Sequence, residues 1–375
     1  MTALHTSICD LFGVRYPIVQ TGMGFVSGPR LTAATANAGC LGILASATMS
    51  YAELAAAIEE TQKLTAAPFG VNLRADAPDA PQRVELLISA QVKVASFALA
   101  PRREMITRLK EAGVVVVPSV GARRHAEKVE AWGADAVVVQ GGEGGGHTGQ
   151  VATTILLPQV VDAVGIPVIA AGGFFDGRGL VAALAYGAAG IAMGTRFLLT
   201  SDSLVPGAIK DRYLAASVND TVVTDALDGV PQRLLRTSFT DRLSSGAGGA
   251  ARLLRSARSA GAFRRLTGTT WRALVQEGLA IRRAHGLPIG QVLLAANTPA
   301  LLRAAMVEGR ADVGVMATGQ VAGLIDDLPS CAELIERIVC QAEAILAGFT
   351  GQDEPRAHEM QDDGSLSRGR EGDRR

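Results

Sequence analysis

The chain has 375 residues, enough for one large domain or two smaller ones with a sizeable core. Lys and Arg balance Asp and Glu at 36 each, and only 19% of residues are charged, so the totals offer no basic surface for nucleic acid. Aromatics are only 4% against 48% hydrophobic residues, and this small-residue bias suits helices packed closely on a sheet.

The elements alternate from the start. Tyr16 to Gln20 reads as a short buried strand, ending in the glycine turn Thr21-Gly22-Met23-Gly24. Arg30 to Ala38 is helical in composition and stops at Gly39. Leu41 to Ala45 is a second strand, and Ser50 and Glu53 form a capping box for a helix from Tyr51 to Leu64. Phe69 to Leu73 is the third strand, Val92 to Ala98 the fourth, Val114 to Val117 the fifth, Ala136 to Gln140 the sixth, Pro167 to Ala171 the seventh and Ile191 to Met193 the eighth. A helical stretch precedes each strand from the fourth on. Strands that are apolar on both faces and separated by helices are parallel and joined by right-handed crossovers. Eight such units in about 200 residues predict an α/β fold, a TIM (β/α)8 barrel over residues 10–200, with an open doubly wound sheet as the competitor.

After Phe197 the alternation stops. Residues 201–310 read as an additional helical subdomain after strand eight. Between Arg233 and Arg283 there are eleven arginines, no lysine and only two acids, Asp241 and Glu277. The plain reading is a solvated helical insert; the functional one is a phosphate-bearing ligand such as a coenzyme A or carrier-protein thioester, because guanidinium forks match phosphate geometry. Residues 311–350 read as closing helices packing on the barrel, and 351–375, polar and rich in charge, as a disordered tail. No basic segment followed by an apolar core opens the chain, and the longest charge-free stretch, Leu31 to Ala52, is a poor membrane span. The cysteines Cys9, Cys40, Cys331 and Cys340 form no CxxC, which suits reduced thiols. A cytoplasmic protein without membrane or nucleic-acid partners is expected, and the sequence leaves room for a homo-oligomer.

The chemistry collects at the strand ends, where a barrel puts its active site. The sixth strand runs into Gln140-Gly141-Gly142-Glu143-Gly144-Gly145-Gly146-His147-Thr148-Gly149, in which six of ten residues are glycine and one is histidine. Glycine lets the backbone approach a ligand closely, and histidine, with an ordinary pKa of about 6.5, suits proton transfer near neutral pH. Gly172-Gly173 ends the seventh strand and Gly194-Thr195 the eighth, where barrels commonly bind phosphate. Gly144, Gly146 and Gly149 spell GxGxxG, but five strands precede their own and no acidic residue ends the next strand, which argues against a dinucleotide fingerprint. No second histidine or paired carboxylate accompanies His147 at metal-ligand spacing, so no metal site is expected.

Five motifs, Pro17 to Gly24, Phe69 to Asn72, Gln140 to Gly149, Ala170 to Gly179 and Met193 to Phe197, resemble in order and spacing the nitronate monooxygenases, formerly 2-nitropropane dioxygenases. Gly319-Gln320 to Ile325 resembles the C-terminal segment of that family, so the likeness spans roughly residues 10 to 350. It implies one non-covalent FMN, with Gln20, Thr21, Gly22, Met23, Gly24 and Asn72 along the flavin and Gln140 and Gly145 lining its ring. It further implies that Gly172, Gly173, Gly194 and Thr195 hold the phosphate, that Met193 also binds the cofactor and that His147 is the catalytic residue. The implied reaction is oxidation of an alkyl nitronate with O2, His147 acting as base or anion-binding group. Gly144 stands where the family usually has Ala, and Arg196 is common in a sister group, the FMN-dependent enoyl-ACP reductases. That group shares the barrel, FMN and histidine but takes hydride from NAD(P)H to reduce an enoyl thioester, and the Arg-rich insert leans toward that alternative. A non-catalytic flavin-binding barrel is the third reading.

Overall fold

The computed structural model describes residues 4–98, 100–244 and 289–349. Eight parallel strands close into a barrel: β1 (Ile18–Gln20), β2 (Leu41–Ala45), β3 (Phe69–Leu73), β4 (Val94–Phe97), β5 (Val115–Val120), β6 (Val137–Gln140), β8 (Val168–Ala171) and β9 (Gly190–Met193). The ring is closed by β9 lying beside β1, with Ile18 opposite Ile191 and Gln20 opposite Met193. The expected TIM barrel is therefore present, and its eight strands are the eight read from the sequence.

The strands are buried on both faces over nearly all their length, which is why each reads as a mostly apolar run. Val19, Ile43, Val117, Val138, Ile169 and Ala192 fill the interior. Their neighbours Ile18, Val137, Val139, Val168, Ala170 and Ile191 face outward onto the helices. A short helix that periodicity does not reveal, α1 (Ser7–Phe12), adds Ile8 and Phe12 to the interior cluster. Both are fully buried and sit at the N-terminal end of the strands, closing the end opposite the mouth.

The crossover helices are α2 (Pro29–Asn37), α3 (Tyr51–Leu64), α4 (Ala80–Ser89), α5 (Arg103–Glu111), α6 (Arg123–Ala131), α7 (Thr153–Val161) and α8 (Gly177–Ala185). The capping box of α3 forms as expected: Ser50 Oγ accepts from the Glu53 N–H and Glu53 Oε2 accepts from the Ser50 N–H at 2.7 Å. After β9 the helix α9 (Thr195–Leu198) lasts one turn, too short to cover its strand. The place of the eighth helix is taken instead by α13 (Cys331–Phe349), which packs against α8 and α2. Gln341 Oε1 on α13 accepts from the Gly177 N–H at 2.8 Å, so the first residue of α8 is tied to α13.

The stretch 201–310, expected to be helical, is corrected by the structure. It holds α10 (Gly207–Leu214), α11 (Ser238–Ser244) and α12 (Ile289–Met306), but also a β-hairpin of β10 (Thr221–Thr224) and β11 (Gln232–Leu235). The β-branched run Thr221-Val222-Val223-Thr224 pairs antiparallel with β11, and β11 also pairs with β7 (Gly146–His147) from the glycine-rich loop. Period-2 alternation in 201–310 is too short to reveal a strand whose second partner lies far back in the chain. Leu227, Leu234 and Val315 form a small core beneath this sheet. Most of the Arg-rich stretch, 245–288, and the tail 351–375 lie outside the described residues. Among the described residues no helix is long and apolar enough to cross a membrane.

Candidate active site

The loops that follow β1, β3, β6, β8 and β9 meet at the C-terminal mouth of the barrel, and the expected site residues fall into two groups there. On one side, Thr21 donates its N–H to the Met193 carbonyl at 3.1 Å. Gly22 lies so close to Asn72 that a Cβ on it would stand 2.5 Å from the Asn72 Cβ. Gly24 lies against Thr48. Asn72 Nδ2 donates to Ser96 Oγ at 3.3 Å. Gln20 is placed differently from its neighbours. Its side chain is fully buried, donating to Ser27 Oγ at 2.8 Å and to the Thr21 and Ile43 carbonyls, while its Oε1 accepts from the Ile43 N–H. Its amide shapes the β1 loop and presents no free polar atom to the mouth.

On the other side stands the glycine-rich loop. Glu143 Oε2 accepts from the Thr153 N–H at 3.0 Å, with the Thr153 hydroxyl 2.7 Å away, so the carboxylate satisfies the bare N–H at the start of α7 and pins the loop there. Gln140 Nε2 donates to the His147 carbonyl at 2.8 Å. That contact explains Gly144: a Cβ on it would meet the Gln140 side chain at 2.5–2.8 Å, so glycine here gives Gln140 room to fold back on the loop. Arg233 reaches over from β11 and donates to the Gly142 carbonyl at 2.8 Å and to Thr221 Oγ1 at 2.8 Å. Burial lowers the pKa of its guanidinium, opposed by the Glu143 carboxylate.

Gly194 and Thr195 join the two sides. Gly194 lies against Thr21 and Met23. Thr195 Oγ1 accepts from the Gly319 N–H at 2.9 Å, and Gln320 donates its N–H to the Glu143 carbonyl at 3.0 Å. Segment 318–320 is thus inserted between the β6 and β9 loops. Gly172 and Gly173 end β8 beside Gly141 and Glu143 with φ of 92° and 87°, conformations that glycine adopts freely.

His147 sits on β7, opposite Gln232 of β11. Its side chain is 60% exposed, so it faces solvent and not the core. Its Nε2 lies 2.8 Å from Asp228 Oδ2. Asp228, in the turn between β10 and β11, also accepts from Gln232 Nε2 at 2.6 Å and from the Val230 N–H at 3.1 Å. Burial pushes this carboxyl up, but His147, Gln232 and the Val230 N–H outweigh it and hold it below the usual carboxylate range. Asp228, Gln232 and Arg233 were not singled out from sequence. Asp228-Gly229 after a β-branched run is a turn signal that bears on them.

Arg196, which sets the chain apart from the usual nitronate monooxygenase pattern, does not face the mouth. It is 4% exposed, donating to Asp327 Oδ1 at 2.8 Å and to the Leu199 and Asp327 carbonyls. It ties α9 to the segment that leads into α13. Arg196→Ala is expected to lower unfolding free energy by about 2–3 kcal/mol, the scale of charged hydrogen bonds lost from a buried site, as read by denaturant titration.

Among the described residues no group of three or more His, Cys, Asp or Glu side chains could hold a metal ion. The family model described as Nitronate monooxygenase matches residues 5–83 and 80–341, and the chain belongs to that family. It is 63% identical over 345 residues to the (3aS,4S,5R,7aS)-5-hydroxy-7a-methyl-1-oxo-octahydro-1H-indene-4-carboxyl-CoA dehydrogenase of Mycobacterium tuberculosis, covering 90% of this chain and 96% of that protein. It is 59% identical over 342 residues to the protein of the same name in Rhodococcus jostii, covering 91% and 97%. The solved structure of FabK from Thermotoga maritima superposes with a TM-score of 0.78 at 35% identity, over 94% of this chain and all of that one.

Proposed function

We propose that the protein is an FMN-dependent dehydrogenase of a bulky acyl-CoA, acting on the carbon pair beside the thioester. The observation that carries this reading is an exposed histidine held by a largely shielded carboxylate, on the loop that also brings Gly172, Gly173, Gly194 and Thr195 together. The 63% and 59% identities to dehydrogenases of a fused-ring carboxyl-CoA support the substrate class. Beyond Arg233, which the loop holds, the ten arginines from Arg236 to Arg283 support it too, since coenzyme A carries phosphates that guanidinium forks match.

The residues present fit FMN. At Gly173 an added Cβ would meet nothing nearer than Glu143 at 3.8 Å, so the backbone after β8 borders open space that a phosphate could enter. The Thr195 hydroxyl, which accepts from Gly319, keeps its hydrogen to donate. In this reading Gly172, Gly173, Gly194 and Thr195 would hold the phosphate, with Met193 at the end of its strand. Thr21 to Gly24, Asn72, Gln140 and Gly145 would border the ring, and Gln20 would contribute backbone only. When bound, FMN supplies the acceptor for two electrons. His147 takes the proton from the carbon α to the thioester, which the carbonyl acidifies. Gln140, Glu143 and Arg233 fix the loop that carries it.

Oxidation of alkyl nitronates with O2 is the second reading, favoured by the family model. A nitronate and a thioester α-carbon present similar planar anions to the same histidine. Anaerobic mixing separates them. Purified protein is expected to be yellow with an FMN spectrum, and to bleach in a single turnover with the octahydroindene carboxyl-CoA, giving a product lighter by two hydrogens. Bleaching by propionate 3-nitronate and not by the acyl-CoA would move the assignment to the second reading. A colourless protein that FMN cannot reconstitute would end both.

A further inference from the structure

We propose that Asp228 is the positioning residue for His147, and that it selects Nδ1 as the nitrogen that takes the substrate proton. The proposal rests on the reading of His147 as the base. An ionised carboxylate only accepts hydrogen bonds. Asp228 is held ionised by the groups around it, and its Oδ2 lies 2.8 Å from His147 Nε2. In the neutral ring the hydrogen therefore resides on Nε2, and Nδ1 carries the lone pair.

The surroundings of Asp228 leave it little freedom. Its Oδ2 also accepts from Gln232 Nε2 and its Oδ1 from the Val230 N–H, so both oxygens are fixed from the hairpin itself. Its side chain is only 20% exposed, against 60% for His147. The backbone of His147 is fixed independently, by the β7–β11 pairing and by Gln140. The ring is thus held at two places, and only one nitrogen remains for the substrate. When the α-carbon loses its proton, the C–H electron pair stays on carbon and the proton adds to Nδ1. The resulting imidazolium keeps Nε2–H on Asp228, whose charge balances it. No proton passes to Asp228. The hairpin from 221 to 235 thereby supplies part of the catalytic apparatus of a barrel it does not belong to.

The test reads the tautomer directly. Protein labelled with 15N in the histidine rings, with His147→Gln to assign the signal, is expected to show neutral His147 protonated at Nε2. Asp228→Asn, which keeps the shape but can also donate, is expected to lose that single tautomer. It should lower kcat about 10- to 10²-fold, part of the 10²–10⁴ that a general base supplies, with KM and flavin content within twofold of wild type. Asp228→Ala should lower kcat at least as far. Nδ1–H in the wild-type protein overturns the proposal. So does an unchanged kcat in both Asp228 variants where His147→Ala has lost turnover. If His147→Ala itself retains turnover, the base reading falls first and the proposal with it.

Discussion

Replacing His147 with alanine is expected to cut turnover of the acyl-CoA about 10²- to 10⁴-fold, the range a positioned general base contributes. The fold and the flavin should survive the change. The side chain is mostly exposed and makes one side-chain contact, with Asp228, whose other partners remain. Flavin content, thermal stability and KM are therefore expected near wild type, and the loss should appear in kcat. His147→Asn keeps a polar side chain of similar reach but has no basic nitrogen, so it should be as inactive as alanine. Rapid-reaction measurement of flavin reduction is the direct check. A His147→Ala protein that reduces at the wild-type rate would remove the histidine from the mechanism.

Gly145→Ala is expected to damage both the fold and the candidate site. A Cβ there would lie 2.5 Å from the Thr318 carbonyl carbon, 2.7 Å from the Gly319 nitrogen and 2.9 Å from the Thr318 oxygen. These are backbone atoms, so no rotamer change can relieve the clash. Either the loop or segment 318–320 must move. Segment 318–320 is bound to Thr195 and to the Glu143 carbonyl, so movement on either side disturbs the junction between the β6 and β9 loops. Overpacking of this kind costs about 1–3 kcal/mol in stability. Displacing a catalytic group by about 1 Å costs on the order of 10²-fold in rate. Gly145→Ala should therefore weaken FMN retention in dialysis and lower kcat by roughly that factor. Gly146→Ala is the control, because no heavy atom lies within 4 Å of its added Cβ, although its φ of 67° makes alanine strained there. A Gly145→Ala protein that retains FMN and turns over as fast as wild type would mean that segment 318–320 yields to the added methyl without cost.

The barrel was readable because burial on both faces leaves a strand few polar positions, so each of the eight appears as a mostly apolar run. The strand ends were readable for the opposite reason: glycine and polar residues interrupt those runs where a ligand needs backbone access. His147 stood out as the one histidine beside such an end. Asp228 did not, because its partnership with His147 spans 81 residues and depends on the pairing of β7 with β11. A two-residue strand of Gly and His has no periodicity to read. Helix α1 escaped for a similar reason, since six residues hold barely two turns of pattern. Gln20 shows the converse. Its place in a motif says that the position matters, and only the coordinates show that its amide serves the β1 loop.

The substitution of α13 for an eighth crossover helix bears on how the chain folds during synthesis. Thr35 on α2 hydrogen-bonds to Cys331 at the start of α13, a separation of 296 residues. At translation speeds of roughly 5–20 residues per second, that gap takes roughly 15–60 s to make. For that interval the side of α2 that α13 later covers has no partner from its own chain, and for about half of it the same holds for α8, 164 residues before its contact with Gln341. All the strands can have left the ribosome while the ring of helices is still open. The nascent barrel thus keeps apolar helix faces uncovered, and α13 acts as the latch whose arrival ends that exposure.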